Sequence, residues 1–307
     1  MRVVVVGLGV QGHKRRAVAG ADVIATVDPV NPQAQHRRLE EVPLASYDAA
    51  LVCTPDEAKI ELLTQLLSNG KHLLVEKPLL TDRSEELARL KQLAGANNAV
   101  CYTAYNHRFE PHFVRMKELL DSGRLGRVYC ARMFYGNGTA RLVRESAWRD
   151  KGAGVLPDLG SHLLDTALFW FGKPTAPFRV HSCNRFENRA FDHLSFGCNG
   201  DPVLQLEVTL LSWRNHFYAD IFAEKGSAHI QSLCKWGPSN FTVREREFPS
   251  GRPEEKSVVL VQNDPTWEFE YRHFKKLCVN GASNIDNDIW INDTLAALAG
   301  QALGGAN

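Results

Sequence analysis

The amino-acid sequence predicts an α/β protein with two domains. Residues 1–104 are predicted to form a doubly wound parallel sheet, and residues 105–307 an α+β domain with a large, open-faced, mostly antiparallel sheet. In the first third of the chain, short runs rich in β-branched residues alternate with helical patterns, which is typical of a parallel sheet covered on both faces. After residue 177, alternating polar and apolar runs follow one another, which is typical of an antiparallel sheet with one polar face.

The elements of the first domain follow from these patterns. Strands are predicted over residues 2–7, 22–28, 49–55, 72–78 and 99–105, where Val, Ile, Leu and Ala predominate. Helices are predicted near residues 12–19 and over residues 56–69 and 81–96. The last of these helices is predicted to begin with Thr81 or Asp82 as its N-cap and to stop at Gly95.

The elements of the second domain are predicted in the same way. Helices are expected over residues 112–123, 161–172 and 288–303, with a strand over residues 126–136 between the first two. Further strands are predicted over residues 179–186, 193–198, 203–212, 216–224, 227–233, 241–248 and 256–262.

Composition and charge exclude several classes of function. Apolar residues make up 44% of the chain and charged residues 23%, which is average for a globular protein. A net charge of +1 gives no reason to expect nucleic acid or an anionic membrane surface as a partner. No apolar run approaches the roughly 18 residues of a membrane helix. The seven cysteines are scattered without a C-x-x-C pair, so we predict a cytoplasmic protein with neither a disulfide framework nor a metal site.

A glycine-rich turn joins the first strand to the first helix. Gly7, Gly9 and Gly12 match the G-x-G-x-x-G pattern, in which glycine lets the backbone approach a pyrophosphate at the start of a helix. Asp28 ends the second strand, where a carboxylate binds the adenosine ribose hydroxyls and repels a 2′-phosphate. We therefore predict NAD rather than NADP. The alternative is a merely tight turn, and the cations at residues 14–16 could be an exposed helix face or could approach a phosphate.

Lys77 lies where the fourth predicted strand ends, just before Pro78. In open α/β sheets ligands bind at the carboxyl ends of the strands. A lysine there can donate to a substrate hydroxyl and stabilise the negative charge that develops as the proton leaves. The alternative is a surface lysine paired with Glu76. The full set predicted to bind the cofactor is Gly7, Gly9, Val10, Gln11, Gly12, Asp28, Thr54, Pro55, Glu76 and Lys77.

Four motifs occur in order along the chain: the glycine-rich turn, "EKP" at residues 76–78, "YNHRF" at 105–109 and "GAGVLPDLGSHLLD" at 152–165. With these motifs the sequence resembles the Gfo/Idh/MocA oxidoreductases over nearly its whole length. The resemblance implies a Rossmann domain followed by a substrate-binding and oligomerisation domain. It also implies catalytic roles for Lys77, Asp158 and His162.

Asp158 and His162 are four residues apart, so they share a face if the helix begins at that point. An imidazole can take a hydroxyl proton at neutral pH, while Asp158 can hold its tautomer or contact the substrate. Lys77 would complete the catalytic cluster, whereas Asp165 is expected to orient the structure. The alternative is an N-cap Asp158 with a merely buried His162.

Other polar side chains are predicted to contact the substrate. These are Tyr105, Asn106, Trp148 and Arg149, together with Asp158 and His162. Asn184, Arg185 and Trp213 are further candidates for the pocket lining, and Arg141, Arg144 or Arg149 could bind a phosphate.

The sequence departs from the family pattern in three places. The link between Asp28 and Cys53 is shorter than the helix–strand excursion that relatives commonly have there. Lys59 stands where relatives often have a histidine, and Ala153 interrupts the glycine run before Asp158.

These features predict an NAD-dependent oxidoreductase that interconverts a secondary alcohol and a ketone on a sugar, a cyclitol or a nucleotide-linked sugar. Self-association into a homo-dimer or homo-tetramer is expected, because a broad open sheet leaves one face to be covered. One alternative is a non-catalytic NAD-binding sensor or scaffold. Another is a reductase of a non-sugar substrate such as a cyclic imine or a tetrapyrrole.

Overall fold

The computed structural model describes residues 1–146 and 149–304, which divide into two compact units. The first unit is Met1–Asn106 with Pro265–Asp293, and the second is His107–Asp264 with the residues from Thr294 onward. The sequence analysis assigns residues 265–293 to the second domain instead. The helices of the described residues are α1 (Val10–Ala19), α2 (Lys59–Ser68), α3 (Ser84–Ala96), α4 (Pro111–Asp121), α5 (Ala140–Arg144), α6 (Ser161–Phe171), α7 (Thr266–Asn280) and α8 (Ile285–Gly304). None of them combines the length and the apolar character needed to cross a bilayer.

The first unit contains a five-stranded parallel sheet, which confirms the predicted doubly wound domain. Its strands are β1 (Val3–Val6), β2 (Val23–Val27), β3 (Ala49–Val52), β4 (His72–Glu76) and β5 (Cys101–Ala104), in the spatial order β2-β1-β3-β4-β5. Every neighbouring pair runs parallel. The residues of β1, β3 and β5 are all buried, as expected for a sheet covered on both faces.

Two apolar clusters cover the two faces of this sheet. Val4 and Val6 belong to the cluster that contains the leucines of α2 and α3. Val3 and Val5 point the other way and pack in the cluster that contains Phe274 of α7. The return of α7 to the first unit therefore completes one side of its core.

The link between β2 and β3 contains no α-helix. Its only helical parts are the 3₁₀ turns Leu39–Glu41 and Leu44–Ser46. His36 forms a parallel bridge with Val27, so residues near 36 run along the outer edge of β2. The short spacing between Asp28 and Cys53 indicates this reduced connection, which is sufficient to reach β3.

The second unit contains an eight-stranded, mostly antiparallel sheet, as predicted. Its strands are β6 (Val128–Gly136), β7 (Arg179–Asn184), β8 (His193–Asn199), β9 (Val203–Thr209), β10 (His216–Ala223), β11 (Gly226–Gln231), β12 (Ser239–Glu245) and β13 (Glu255–Leu260), in the spatial order β13-β12-β11-β10-β6-β9-β8-β7. Only the β6–β9 pair is parallel. On β6, Met133 and Tyr135 are buried whereas Arg132 is exposed and Phe134 half-buried, so one face carries α4 and α6 and the other is open.

Several helix predictions differ from the structure, and the short helix α5 is absent from the sequence prediction. Helix α3 begins at Ser84 with Arg83 in the N-cap position, so neither Thr81 nor Asp82 is the N-cap. Thr81 Oγ1 instead accepts the backbone N–H of Arg83 and donates to Glu86, which closes a turn ahead of the helix. Helix α7 is absent from the sequence prediction, and α8 begins at Ile285, earlier than the predicted residue 288.

Candidate active site

The glycine-rich turn forms a tight backbone cradle between β1 and α1. Gly7 has a φ of +88°, and a Cβ on Gly12 would lie 2.0 Å from the carbonyl oxygen of Gly7, so both positions require glycine. A Cβ on Gly9 would meet nothing within 4 Å. Helix α1 begins directly after it, with Val10 and Gln11 exposed. The turn thus leaves open space at a helix N-terminus, an arrangement that fits a pyrophosphate.

Asp28 is fixed beside this turn by backbone hydrogen bonds. Its Oδ2 accepts the N–H of Leu8 at 2.6 Å, and its Oδ1 accepts the N–H groups of Val30 and Asn31, both at 2.8 Å. Partial burial opposes ionisation of the carboxyl, but these three hydrogen bonds outweigh it and lower the pKa of Asp28. The carboxylate is therefore charged at neutral pH and rigidly placed, as a ribose-binding group requires.

Thr54 and Pro55 follow the carboxyl end of β3, the edge at which ligands of such sheets bind. Thr54 Oγ1 is buried and finds no hydrogen-bond partner within residues 1–146 and 149–304. Buried hydroxyl groups nearly always have a hydrogen-bond partner, so this oxygen is suited to form a hydrogen bond with a bound ligand. Pro55 is exposed.

Glu76 is engaged in an ion-pair network inside the first unit. Its Oε1 lies 2.5 Å from Nε of Arg15, and Nη2 of Arg15 lies 2.7 Å from Oε2 of Glu270. The Arg15 guanidinium also stacks over Trp267, 4.2 Å from the ring centroid. Of the three cations at residues 14–16, Arg15 is therefore a core residue and not part of an exposed, phosphate-facing helix surface. Glu76, which the sequence analysis assigns to cofactor binding, has a structural partner in Arg15.

Lys77 follows β4 and is half-buried, with a cis peptide bond to Pro78. The residues on either side of Lys77 are held by Lys59, which is only 2% exposed. Its ammonium donates to the carbonyl oxygens of Glu76 at 3.3 Å and Pro78 at 3.1 Å, and to Oδ1 of Asp56 at 2.5 Å. The lysine that replaces a histidine of the family pattern thus fixes the backbone that carries Lys77.

In the second unit, Asp158 and His162 lie on one short helical segment. Asp158 sits in a π-helical turn, Leu156–Gly160, and His162 in the first turn of α6. The wider turn means that the α-helical spacing assumed for this pair does not apply, and single π turns recur at functional sites. The N-cap position of α6 is Gly160, so the alternative of an N-cap Asp158 does not hold. Oδ2 of Asp158 lies 3.7 Å from Nη2 of Arg149.

Aromatic rings surround the buried His162 side chain. Its ring is stacked on that of His107, with centroids 4.2 Å apart and planes at 21°. Tyr135 meets His162 edge-on at a centroid distance of 5.6 Å. Burial and, next, the negative charge of Asp158 raise the pKa of Tyr135, so its phenol stays protonated. The imidazole of His162 is therefore held in one orientation, with a carboxylate on the same segment.

Tyr105 and Asn106, predicted to contact the substrate, are both buried. Tyr105 is 1% exposed and Asn106 is 7% exposed. The side-chain amide of Asn106 donates to Oγ1 of Thr266 at 2.8 Å, within the first unit. This hydrogen bond gives Asn106 a structural role, because the returning segment that begins at Pro265 supplies the acceptor.

The remaining predicted contact residues have varied surroundings. Trp148 lies outside the described residues. Arg141 pairs with Glu145 at 3.0 Å and Arg144 with Glu187 at 3.4 Å, so each of these candidate phosphate ligands has a carboxylate partner. Asn184 ends β7 and is half-buried, Arg185 stacks over Phe191, and Trp213 is 72% exposed with a positive φ of 59°.

The donor set around His162 suits proton transfer better than metal binding. It combines an imidazole, a carboxylate and a guanidinium, and a guanidinium is not a metal ligand. Within the described ranges, no group of three or more His, Cys, Asp and Glu side chains could hold a metal ion. What this arrangement offers is a proton acceptor beside charged and hydrogen-bonding groups.

Two family models match the chain, one in each half. Residues 1–105 match the model of the oxidoreductase family with an NAD-binding Rossmann fold, and residues 113–229 match the Gfo/Idh/MocA C-terminal domain. The chain belongs to the Gfo/Idh/MocA family. The resemblance and the NAD-binding domain predicted from the sequence are thereby confirmed.

Curated relatives match the chain over part of its length. An uncharacterized oxidoreductase of Schizosaccharomyces pombe is 35% identical over 133 residues, which cover 42% of this chain and 35% of the relative. The scyllo-inositol 2-dehydrogenase (NADP(+)) IolW of Bacillus subtilis is 31% identical over 134 residues, covering 43% of this chain and 37% of the relative. The chain thus spans only about a third of the length of these relatives.

Solved structures of the same fold align over nearly the whole chain. Levoglucosan dehydrogenase in complex with NADH and levoglucosan has a TM-score of 0.85 at 17% identity, covering 100% of this chain and 98% of that one. GenD2 from gentamicin A biosynthesis, in complex with NAD, has a TM-score of 0.79 at 22% identity, covering 99% and 95%. At these identities the likeness establishes the fold alone.

Sequence reasoning missed several residues around the family motifs. Lys235 contacts His107, whose ring is stacked on that of His162. Glu270 pairs with Arg15. The "YNHRF" motif could have drawn attention to His107, since it carries a histidine beside Arg108. No local pattern marks Lys235 or Glu270, because their partners lie far away along the chain.

A matched pair of glycine substitutions tests the cradle. Gly9→Ala places its methyl group in open space, so we expect the stability to change by no more than about 0.5 kcal/mol. The same methyl group would occupy the space meant for the pyrophosphate, so the Kd for NADH should rise by roughly tenfold or more. Gly12→Ala, in contrast, should lower the melting temperature strongly, because its Cβ would overlap the Gly7 carbonyl. Thermal melts and NADH fluorescence titration measure both effects. Unchanged NADH affinity in Gly9→Ala would contradict the assignment.

Proposed function

We propose that this protein is an NAD-dependent oxidoreductase that interconverts a secondary alcohol and a ketone on a sugar, a cyclitol or a nucleotide-linked sugar. The observation that carries the proposal is the oriented, buried imidazole of His162, in a chain that also has a glycine cradle beside the ionised Asp28. Family members named inositol 2-dehydrogenase support the substrate class. Levoglucosan dehydrogenase, which has the same fold, supports it as well.

The proposed chemistry divides between three side chains. His162 takes the hydroxyl proton of the substrate as the carbinol carbon becomes a carbonyl carbon, and returns a proton in the reverse direction. Lys77 donates a hydrogen bond to a substrate hydroxyl and stabilises the negative charge that develops as its proton leaves. Asp158, whose carboxylate forms an ion pair with Arg149, binds a substrate hydroxyl or orients His162. A bound nicotinamide dinucleotide would supply the hydride acceptor for this oxidation.

The cofactor-binding groups hold the dinucleotide by its phosphates and ribose. The backbone at Gly9 and Val10 would receive the pyrophosphate at the start of α1. Asp28 would accept the ribose hydroxyls, and the buried hydroxyl of Thr54 would gain a partner. All of these groups belong to the first unit.

Asp28→Asn tests the preference for NAD over NADP. The amide oxygen of the variant still accepts the N–H groups of Val30 and Asn31, but the negative charge is gone. Repulsion between a carboxylate and a phosphate a few ångströms apart is worth about 1–4 kcal/mol near a protein surface. We therefore expect the ratio of kcat/KM for NADP to that for NAD to rise by roughly tenfold or more. Glu61→Gln, an exposed carboxylate change in the same unit, is the control, and an unchanged ratio in Asp28→Asn would count against the ribose role.

The activity itself is tested by following NADH at 340 nm with a panel of cyclitols, sugars and sugar nucleotides. We expect turnover on at least one polyol, and its loss in Lys77→Ala while NADH binding measured by titration persists. NADH binding without turnover on any polyol or ketone would favour a sensor or scaffold instead. Full turnover in His162→Ala would favour a reductase of another substrate class.

We also propose that two or four copies associate through the open face of the eight-stranded sheet. This face carries Phe134 and Tyr218 stacked in parallel at a centroid distance of 5.3 Å, with Phe222 partly exposed nearby on β10. Aromatic side chains of this kind are enriched at protein interfaces. Light scattering after size exclusion measures the mass, and a monomer at micromolar concentration would overturn the proposal.

The seven cysteines favour a reducing compartment, and we propose the cytoplasm. All seven are free thiols in the structure, and three of them are buried. Burial raises the pKa of Cys278 to about 12, so its thiolate is not formed at neutral pH. Thiols in this state persist where glutathione keeps them reduced.

A further inference from the structure

Two histidines of the second unit lie face to face. His107 and His162 are stacked with ring centroids 4.2 Å apart, although 54 residues separate them along the chain. Both are buried, with 2% and 6% of their surface exposed. Phe113 and Phe217 meet the His107 ring edge-on, at 5.7 Å and 6.5 Å. The aromatic neighbours thus hold the His107 ring in place, and the His162 ring packs against its face.

The charge state of His107 follows from its contact with Lys235. Nζ of Lys235 lies 3.4 Å from Nε2 of His107. An ammonium group has three donors and no acceptor, so Nε2 must offer a lone pair. An imidazolium ion has no lone pair to offer. This contact fits a neutral His107 ring whose proton is on the buried Nδ1.

A neutral His107 has a consequence for the ring stacked on it. Two imidazolium ions at van der Waals distance repel strongly in a buried site, and their titrations would be coupled. Because the ammonium of Lys235 prevents His107 from taking a proton, only His162 of the pair is left to titrate. A general base accepts and releases one proton per reaction, and this role is favoured when its titration is not coupled to that of a second imidazole.

We propose that His107 and Lys235 are positioning residues for His162. His107 holds the imidazole of His162 in place, and Lys235 keeps the stacked ring neutral so that His162 titrates alone. The proposal rests on the proposed role of His162 as the proton acceptor. It adds two residues that act through His162 and do not touch the substrate.

Other titratable groups surround these three side chains and enter any pH dependence. Tyr135 meets the His162 ring edge-on, lies tilted against the His107 ring and stays a neutral phenol. Burial raises the pKa of Glu110, which accepts hydrogen bonds from the N–H and Sγ of Cys234. Other ionisable groups on the elements that carry these side chains are Asp158 with Arg149, Arg108 with Asp165, and Glu110, Cys234 and Asp264 beside Lys235.

The experiment is an NMR pH titration of the protein with ¹³C-labelled histidine, which requires no turnover. In the wild type we expect the His107 resonance to remain that of a neutral Nδ1–H ring between pH 5 and 8. In Lys235→Met it should titrate within that range, together with His162. Lys225→Met, which removes an exposed lysine of the same unit, is the control and should leave both titrations unchanged. A His107 resonance that titrates in the wild type, or stays neutral in Lys235→Met, would overturn the proposal.

Kinetics give a second readout on the active protein. The acidic limb of kcat/KM should fit one ionisation in the wild type and require two coupled ionisations in Lys235→Met. His107→Phe keeps an aromatic plate, so we expect its kcat to stay within about threefold and its acidic limb to fit one ionisation. The double variant His107→Phe, Lys235→Met should also return to one ionisation. If His162 is not the proton acceptor, the NMR result can still hold, but the acidic limb of kcat/KM should be the same in the wild type and in all three variants. A failure of the proposed function can therefore be distinguished from a failure of the proposed positioning roles.

Discussion

Replacing His162 with asparagine is expected to lower kcat by about 10²–10⁴-fold, the usual contribution of a general base. Asparagine fills much of the space of the imidazole but cannot accept a proton near neutral pH. The affinity for NADH should stay unchanged, because the residues proposed to bind it all belong to the first unit. Steady-state kinetics with the best polyol, together with NADH fluorescence titration, separate the two effects.

His112→Asn is the matched control for this variant. His112 is also a fully buried histidine of the second unit, and its Nε2 is 3.2 Å from the carbonyl oxygen of Ser239. Its ring stacks on Phe241 and not on His107. We expect His112→Asn to lower the free energy of unfolding while leaving kcat within about threefold of the wild type. A His162→Asn protein as active as this control would show that proton transfer takes place elsewhere.

Replacing Arg15 with methionine is expected to lower the free energy of unfolding by about 3–5 kcal/mol, the cost of removing one partner from a buried ion pair. Burial alone would lower the pKa of Arg15, but the charges of Glu270 and Glu76 outweigh it and raise the pKa. The guanidinium is therefore permanently charged. Without it, Glu270, which is 0% exposed, keeps a charge with no cation at 2.7 Å. Urea denaturation followed by circular dichroism measures the loss.

Two further variants identify the cause of that loss. Arg16→Met removes the exposed neighbouring cation and should change stability by no more than about 0.5 kcal/mol. The double variant Arg15→Met, Glu270→Gln removes the buried carboxylate charge as well, so it should regain part of the stability lost by Arg15→Met. A loss below about 1 kcal/mol in Arg15→Met would mean that water or another group compensates Glu270.

The sequence predicts the parts of the fold that depend on local patterns. The five parallel strands follow from continuous apolar runs, and the glycine cradle from a motif of six residues placed between a strand and a helix. Asp28 is predictable because the end of the second strand must lie beside that turn. In each case residues close in sequence determine the geometry, or the parallel sheet brings consecutive strand ends together.

Contacts between distant segments escape this reasoning. Glu76 is predicted to bind the cofactor, but its carboxylate pairs with Arg15 of α1, which lies far away along the chain. His107 stacks on His162 and Lys235 contacts His107, although all three lie far apart along the chain. The π turn at Asp158 is likewise invisible, because a single inserted residue leaves the apolar pattern unchanged.

The return of residues 265–293 to the first unit sets the order in which the chain can complete its core during synthesis. When residue 106 has left the ribosome, all five parallel strands are present, but Phe274 and Glu270 do not yet exist. One sheet face is then uncovered and Arg15 has only Glu76 as a partner. The nucleotide-binding half cannot complete its core until residues 265–293 have been made. A ribosome that stops early should therefore release a chain that chaperones hold and proteases degrade.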